Sequence, residues 1–373
     1  MPTDFHAEHV GSLLRPPYLL AARETRDKGE LGADELREVE DRAVAELLDI
    51  QQQAGLTVFT DGEARRESWR AGLMESLGGL EPASRRLRWY RDGKELPAEE
   101  TLSDGAVAVA KVSRKQDLTG VEASFMAAHA PGTFKLTMIS ASMGGMIWDR
   151  ERSSAVYPTP NDLIEDLAAL QIDEIRGLVR TRGVRWVQLD SLSYNQVIDP
   201  GATGSARVAL SPEQALDAAI GVDAVIVSAV KREHPDLTVG MHICRGNYRS
   251  SWMAQGGYEP VAERLFNEVP ADRFLLEYDT ERAGGFEPLR FVPRQAAGPT
   301  IVLGLVTTKV PQLENRDDLL RRIDEAARYV PLEQLALSPQ CGFASGSLGN
   351  LTTAGDERRK LDLVTSVARQ VWG

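Results

Sequence analysis

Eight short runs of β-branched and apolar residues recur along the chain, at residues 5–12, 56–60, 134–140, 184–190, 237–244, 274–279, 301–308 and 335–341. Stretches with apolar residues at helical spacing lie between most of them. Parallel strands cannot be joined by a tight turn, and a crossover helix both spans the distance and covers the sheet, so this alternation specifies a parallel sheet with crossover helices. Eight such units predict an α/β fold of the TIM (β/α)8 barrel type.

The helices carry their own punctuation. Residues 33–53 are amphipathic and stop at Gly55, and residues 163–180 repeat the pattern. Ser211 before Pro212 places a capping side chain ahead of a proline at the first helical position, opening a helix to about Lys231. Asn315 followed by Asp317 and Asp318 opens another to about Tyr329, and a last helix covers residues 356–371. The long connection from Trp69 to Thr133 contains Asp92-Gly93 between strand-like flanks, which reads as a hairpin turn. Residues 70–133 are therefore expected as an insertion between the second and third strands of a single catalytic domain spanning residues 1–373.

Composition narrows the function. A formal charge of −12 opposes broad binding to nucleic acid or anionic membranes, and no apolar run reaches the roughly 18 residues of a membrane span. The N-terminus lacks a basic segment followed by an apolar one, so a cytoplasmic protein is expected. Two cysteines in 373 residues build no disulfide framework and point to metal ligation, catalysis or inert burial.

Active sites of such barrels sit at the carboxyl ends of the strands. Those ends carry His9, Gly11 and Ser12, then Asp61 and Glu63, Asp190, His242 and Cys244, Glu277 and Asp279, and finally Cys341, so both cysteines fall among them. Residues two apart on a strand share a face, so His242 and Cys244 are expected to project together into the mouth of the barrel. Glu277 and Cys341, on nearby strands, converge on the same point in a closed ring. An imidazole and two thiolates select zinc, with a carboxylate as an accepted fourth ligand. Asp279 or Glu281 are alternative sources of that carboxylate, and a His-x-Cys pair taken alone equally describes a core histidine beside a buried thiol.

The segments HICRGN at 242–247, LLEYDTERAGGFEPLRFVP at 275–293, GLVTTK at 304–309 and LSPQCGFAS at 337–345, with AEHVGSLLRP and TDGEARRESW nearer the N-terminus, resemble the short single-barrel relatives of cobalamin-independent methionine synthase. The resemblance covers nearly the whole chain and is weakest over residues 70–180. It implies a zinc ion (Zn2+) held by His242, Cys244, Glu277 and Cys341. It also implies that Gly11, Ser12, Glu63 and Asp190 handle the amino acid part of a homocysteine-like thiol. The superfamily includes epoxyalkane:coenzyme M transferase, which adds a thiol to an epoxide. Where the family has Asn-Trp-Ser after the third strand this chain has Ser140-Ala141-Ser142, where it has Asp-Glu-Pro after the fourth it has Asp190-Ser191-Leu192, and a family histidine on the seventh strand corresponds to Thr307. These departures leave the methyl donor open.

The implied chemistry is a zinc-dependent thiol S-alkyltransferase. An alkyl thiol is scarcely ionised at neutral pH, and coordination to zinc deprotonates it. With two thiolates and a carboxylate the zinc centre already carries a net charge of about −1 from its +2 ion, so an added substrate sulfur stays nucleophilic toward an electrophilic carbon. Methyl transfer to homocysteine or a similar thiol is the first expectation, epoxide opening by coenzyme M the second, and a non-catalytic zinc-binding barrel the third. Arg15, Arg66 and Arg245 are candidates for binding a carboxylate or sulfonate, or else ordinary ion-pair partners. Tyr194 is a candidate acid for an opening epoxide, and Trp69 and Trp148 are candidate platforms for a planar donor.

Overall fold

The computed structural model describes residues 5–68, 76–201, 210–295 and 298–373. Six parallel strands, Leu136–Ile139, Trp186–Asp190, Thr238–Ile243, Arg273–Glu277, Thr300–Val306 and Leu335–Pro339, lie side by side in chain order in one sheet. Helices such as Pro160–Arg182 and Pro212–Glu233 connect successive strands. Burial of nearly every strand residue explains why the runs read as continuously apolar instead of alternating.

Both edges of the sheet are extended. At one, Ala7 bridges Leu337 in parallel, and the Glu8 amide donates to the Leu337 carbonyl at 3.1 Å. At the other, Val58–Phe59 pairs in parallel with Thr133–Phe134, directly before Leu136–Ile139. The two flanks meet where Thr60 Oγ1 donates to the Gly11 carbonyl at 2.7 Å. The expected strands at 5–12 and 56–60 are thus reduced to a bridge and a two-residue pairing. Here side chains replace the ladder: Gln51 satisfies the Thr60 amide and carbonyl, both at 2.9 Å. The close approach also needs Gly11 bare, because a Cβ there would lie 2.7 Å from Thr137 Cγ2.

Helices begin where side chains cap them. Thr159 with Asp162, and Thr353 with Asp356, form capping boxes that start two helices earlier than apolar spacing suggests, at Pro160 and Ala354. Gly183 ends the first of these at φ 66°, a left-handed conformation that favours glycine. Between the second and third strand positions, Leu77–Arg86 pairs antiparallel with Leu102–Arg114, enclosing a smaller hairpin of Tyr90–Arg91 with Lys94–Glu95. Asp92 and Gly93, at φ 50° and 72°, make its turn as the Asp-Gly pair implies. No helix among the described residues is long and apolar enough to cross a membrane.

Beneath the sheet's carboxyl ends, Glu8 is fully buried between Lys135 Nζ, at 2.7 Å, and Arg273 Nε, at 2.8 Å. Burial alone would raise its pKa, but the two cations outweigh burial and hold it below the ordinary carboxylate range. Glu8→Ala strands two buried cations and is expected to cost about 3–5 kcal/mol in urea denaturation at pH 7. A lowered folded pKa makes this stabilisation complete above the ordinary carboxylate range. It fades as pH falls through the folded value, so the gap between the two proteins should narrow in acid.

Candidate functional site

The strand Thr238–Ile243 carries His242 and delivers Cys244 just beyond its end, while Cys341 follows the end of Leu335–Pro339. The His242 ring and the two sulfurs lie within 4.8 Å of one another, all buried. The ring is oriented from behind: Nδ1 donates to the Leu275 carbonyl at 3.2 Å, which turns Nε2, buried and without a hydrogen-bond partner, toward the sulfurs. Burial pulls the ring's pKa down, but Cys341, Asp190 and Glu277 outweigh it and raise it. Cys244 Sγ accepts the Gly246 amide at 3.3 Å, in a turn that needs φ 85° at Gly246. The hydrogen bond from Cys244, with His242 and Lys309, outweighs burial and holds the Cys341 thiol well below its usual range. Sharing that bond, together with burial, pushes Cys244 up. One orphaned imidazole nitrogen facing two sulfurs, one of them already inclined to ionise, is a donor set that fits zinc.

Glu277 ends its strand fully buried but stands outside this group of three. Its carboxylate accepts the Arg245 amide at 2.8 Å, pairs with Arg282, and faces Lys309 Nζ at 3.7 Å. Burial raises its pKa, yet Lys309, Arg282 and Arg245 together hold it at about 2. Of the alternatives, Asp279 belongs to the same cation cluster, 3.6 Å from Arg282, and Glu281 is exposed.

A cavity of about 50 Å3 opens onto the three residues, and Ser12, Glu63 and Asp190 also line it. Glu63 adopts φ 54°, unusual for a residue other than glycine, and its Oε1 accepts from Thr137 Oγ1 at 2.9 Å while Oε2 is buried and unpartnered. Burial pushes its carboxyl up against the pull of Arg66 and Thr137. Asp190 Oδ1 accepts from Gln188 Nε2 at 2.8 Å; burial, against His242 and with Glu63, pushes its carboxyl up to about 7. Gly11 sits behind Glu63, where a Cβ would lie 2.9 Å from Oε1. Trp89 of the hairpin region and Asn247 also face the cavity. Neither is at a strand end, although Asn247 lies within the same HICRGN segment as the cysteine, and that proximity is the signal sequence reasoning passed over.

Other expected residues are committed elsewhere. Arg15 donates to the carbonyls of Glu63, Arg66, Ala344 and Gly346, so it clamps loops together and has no fork to offer a ligand. Arg245 donates through Nε and Nη2 to the Gly256 carbonyl and lies 4.1 Å over the Tyr258 ring; only its backbone amide reaches the cluster, at Glu277. Arg66 binds Glu122 and Thr137. Trp148 is buried and donates to the Tyr157 carbonyl at 2.9 Å, and Trp69 lies outside the described residues. Tyr194 is fully buried and donates to Asp223 at 2.6 Å, away from the cavity, because the short helix Asn195–Ile198 turns it toward Pro212–Glu233. Tyr194→Phe removes a partner from a buried carboxyl and is expected to cost about 1–3 kcal/mol in urea denaturation. The metal content of the purified protein should be unchanged, and a loss of metal would return Tyr194 to the site.

Several known proteins are similar to this chain. Uncharacterized protein YxjH of Bacillus subtilis is 38% identical over 99% of this chain and 95% of its own length. Methionine synthase of Pyrococcus horikoshii is 22% identical over 90% of this chain and 85% of its own length. Among solved structures, a putative vitamin-B12 independent methionine synthase from Listeria monocytogenes superposes with a TM-score of 0.73 at 30% identity, covering 99% of this chain and 98% of that one. A B12-independent methionine synthase from a Shewanella species, in complex with selenomethionine, gives 0.72 at 17% identity over 98% and 97% of the two chains, a likeness of fold. The family model described as cobalamin-independent synthase, catalytic domain, matches residues 5–354, and with these relatives it establishes that the chain belongs to the cobalamin-independent methionine synthase family.

Proposed function

We propose that this protein is a zinc-dependent thiol S-methyltransferase whose acceptor is homocysteine or a similar amino-bearing thiol. The observation that carries the reading is the orphaned His242 Nε2 facing Cys244 and Cys341 in the small cavity that Glu63 and Asp190 also line. The six-stranded sheet with its two flanking pairings is taken as a (β/α)8 barrel forming one catalytic unit, with residues 70–133 inserted in it, working in the cytoplasm. Its acting ends are the carboxyl ends of the strands.

His242, Cys244 and Cys341 would hold the zinc, which when bound supplies the acidity that makes the acceptor thiol a thiolate at neutral pH. Glu277 would either join the set or remain with Arg282 and Lys309, leaving a position for the substrate sulfur. The carboxyls of Glu63 and Asp190 are raised by burial and relieved when an ammonium group comes between them, so they select a thiol that carries an amine. Ser12 and Gly11 shape the wall beside them. In the transfer itself the acceptor sulfur forms a bond to the methyl carbon, the carbon–donor bond breaks, and its electron pair leaves with the donor. The coenzyme M and epoxide reading finds no support in the relatives named above.

Zinc K-edge absorption on the purified protein, before and after homocysteine, tests the reading. The sulfur count at zinc should rise from two to three, and Cys244→Ala or Cys341→Ala should lose most of the zinc while keeping the circular dichroism of the folded chain. An absent metal, or a shell unmoved by the thiol, sinks the proposal. Asp190→Asn should weaken homocysteine at least tenfold, about 1.4 kcal/mol, and 2-mercaptoethanesulfonate hardly at all. Equal losses for the two thiols would remove Asp190 from amine recognition.

A further inference from the structure

Strand ends build the floor and sides of the small cavity: its lining falls within residues 10–12, 63, 190–192, 242–247 and 341–345, with one exception among the described residues. The exception is Trp89, which is buried and enters from the segment between the paired strands Leu77–Arg86 and Leu102–Arg114. The indole packs against Tyr248, with 5.3 Å between ring centres, and a Cβ at Gly246 would lie 3.0 Å from its ring. Gly246 is also the residue whose amide meets Cys244 Sγ at 3.3 Å, so the indole stands at the sulfur end of the pocket.

The ring is held where it is by its neighbours in the chain. Tyr90 exchanges backbone hydrogen bonds with Trp252 at 2.8 and 2.9 Å and stacks on its ring at 4.7 Å. Arg91 donates to Ser251 Oγ at 3.2 Å and to the Arg249 carbonyl at 3.0 Å. The loop that receives them is pinned from its far side, where Asn350 accepts the Ser250 amide at 3.0 Å and the Leu351 amide donates to Ser250 Oγ at 2.8 Å. It turns through φ 47° at Arg249 and 67° at Ser250, conformations that persist only where the surroundings impose them. Tyr90 and Arg91 already fasten the hairpin, so a tryptophan turned toward the cavity is not needed to hold it.

We infer that Trp89 sets the size of the acceptor: its indole closes the pocket at the sulfur end and admits only a short thiol unbranched at the carbon that bears the sulfur. The inference rests on the thiol-alkylation reading above and narrows its acceptor class. Space decides it. A cavity of about 50 Å3 has room for roughly three to five waters, the bulk of a short aliphatic amino thiol and far less than that of a peptide thiol. Two methyl groups beside the sulfur would meet a large rigid ring wedged in place, and a close-packed wall yields little to extra carbon atoms. An unbranched chain avoids the ring and leaves its amine free to reach Glu63 and Asp190, which line the same cavity.

Calorimetry on the purified, metal-containing protein tests this with homocysteine against γ,γ-dimethylhomocysteine, which keeps the spacing of sulfur and amine and adds two methyl groups beside the sulfur. Wild type should bind homocysteine at least about tenfold tighter than the branched thiol. Trp89→Ala should close that gap to within about threefold, with zinc content unchanged and the branched thiol now adding a sulfur at the zinc K-edge. A tryptophan that served packing alone would, when removed, weaken both thiols by the same factor and leave the gap as it was. If Trp89→Ala fails to fold, Trp89→Leu carries the result, and the wild-type comparison of the two thiols needs no variant. Wild type binding both thiols alike, or a gap unchanged in a folded Trp89 variant, overturns the inference. Homocysteine uptake at zinc is read separately, so either of those results with uptake intact leaves the methyltransferase reading standing, whereas a wild-type zinc that takes up neither thiol removes the reading and the inference together.

Discussion

A parallel ladder sets the height of residues on neighbouring strands, and here it sets Asp190 level with His242 and His242 level with Leu275. Everything at the candidate site follows from that register. The Leu275 carbonyl meets Nδ1 of the histidine and so decides which nitrogen is left for a metal. Two residues further on, the chain leaves the strand with Cys244 pointing the same way, and the amide of Arg245 turns to Glu277. A slip of one residue in either pairing would reverse the faces and scatter all four groups.

Charge around the site is divided into two sectors. On one side Arg282 and Lys309 surround Glu277 and favour anions, which is why that carboxyl is held at about 2 although it is fully buried. On the other, Glu63 and Asp190 share a buried wall, and burial raises both, outweighing the pull of Arg66 on Glu63 and of His242 on Asp190. The first sector tolerates thiolates and the second asks for a positive group. A ligand with sulfur at one end and an amine a few bonds away spans both, and neither sector alone would select it. Lys309 also favours the charged form of Cys341, so the cation cluster supports the sulfur side without touching the substrate side.

Six of the eight expected strands and the helix placement were legible because burial on both faces writes itself as uninterrupted apolar runs, as at Thr300–Val306. His242, Cys244 and Cys341 were legible because strand ends are where such a fold displays its side chains, and the chain has only two cysteines to display. What sequence could not carry were long-range hydrogen bonds. The segment around Gly11 looks like a strand, yet its pairing is taken over by Gln51 and Thr60, residues far from it in the chain. Arg15, Arg245 and Tyr194 have the chemistry of ligand-binding groups, and only the partners they find in space, four loop carbonyls, Gly256 and Asp223, remove them from the site. Glu277 shows the same limit from the other direction: its position was readable, but the cations that hold it came from residues 5 and 32 places further along the chain.

The site is also connected downward. Lys135 Nζ donates to both Glu8 and the side-chain Oε1 of Gln188 at 2.7 Å, which turns the Gln188 Nε2 toward Asp190. An amide can present either face, and a buried ammonium on one side removes the choice. The ion cluster that stabilises the floor of the sheet therefore also fixes the rotamer of a carboxyl at its mouth. Asp190 is held ready to accept, with one oxygen already engaged, before any ligand arrives. That arrangement explains why a fully buried charge cluster is retained where apolar residues would pack as well: it gives the mouth of the sheet an orientation that apolar packing has no means to impose.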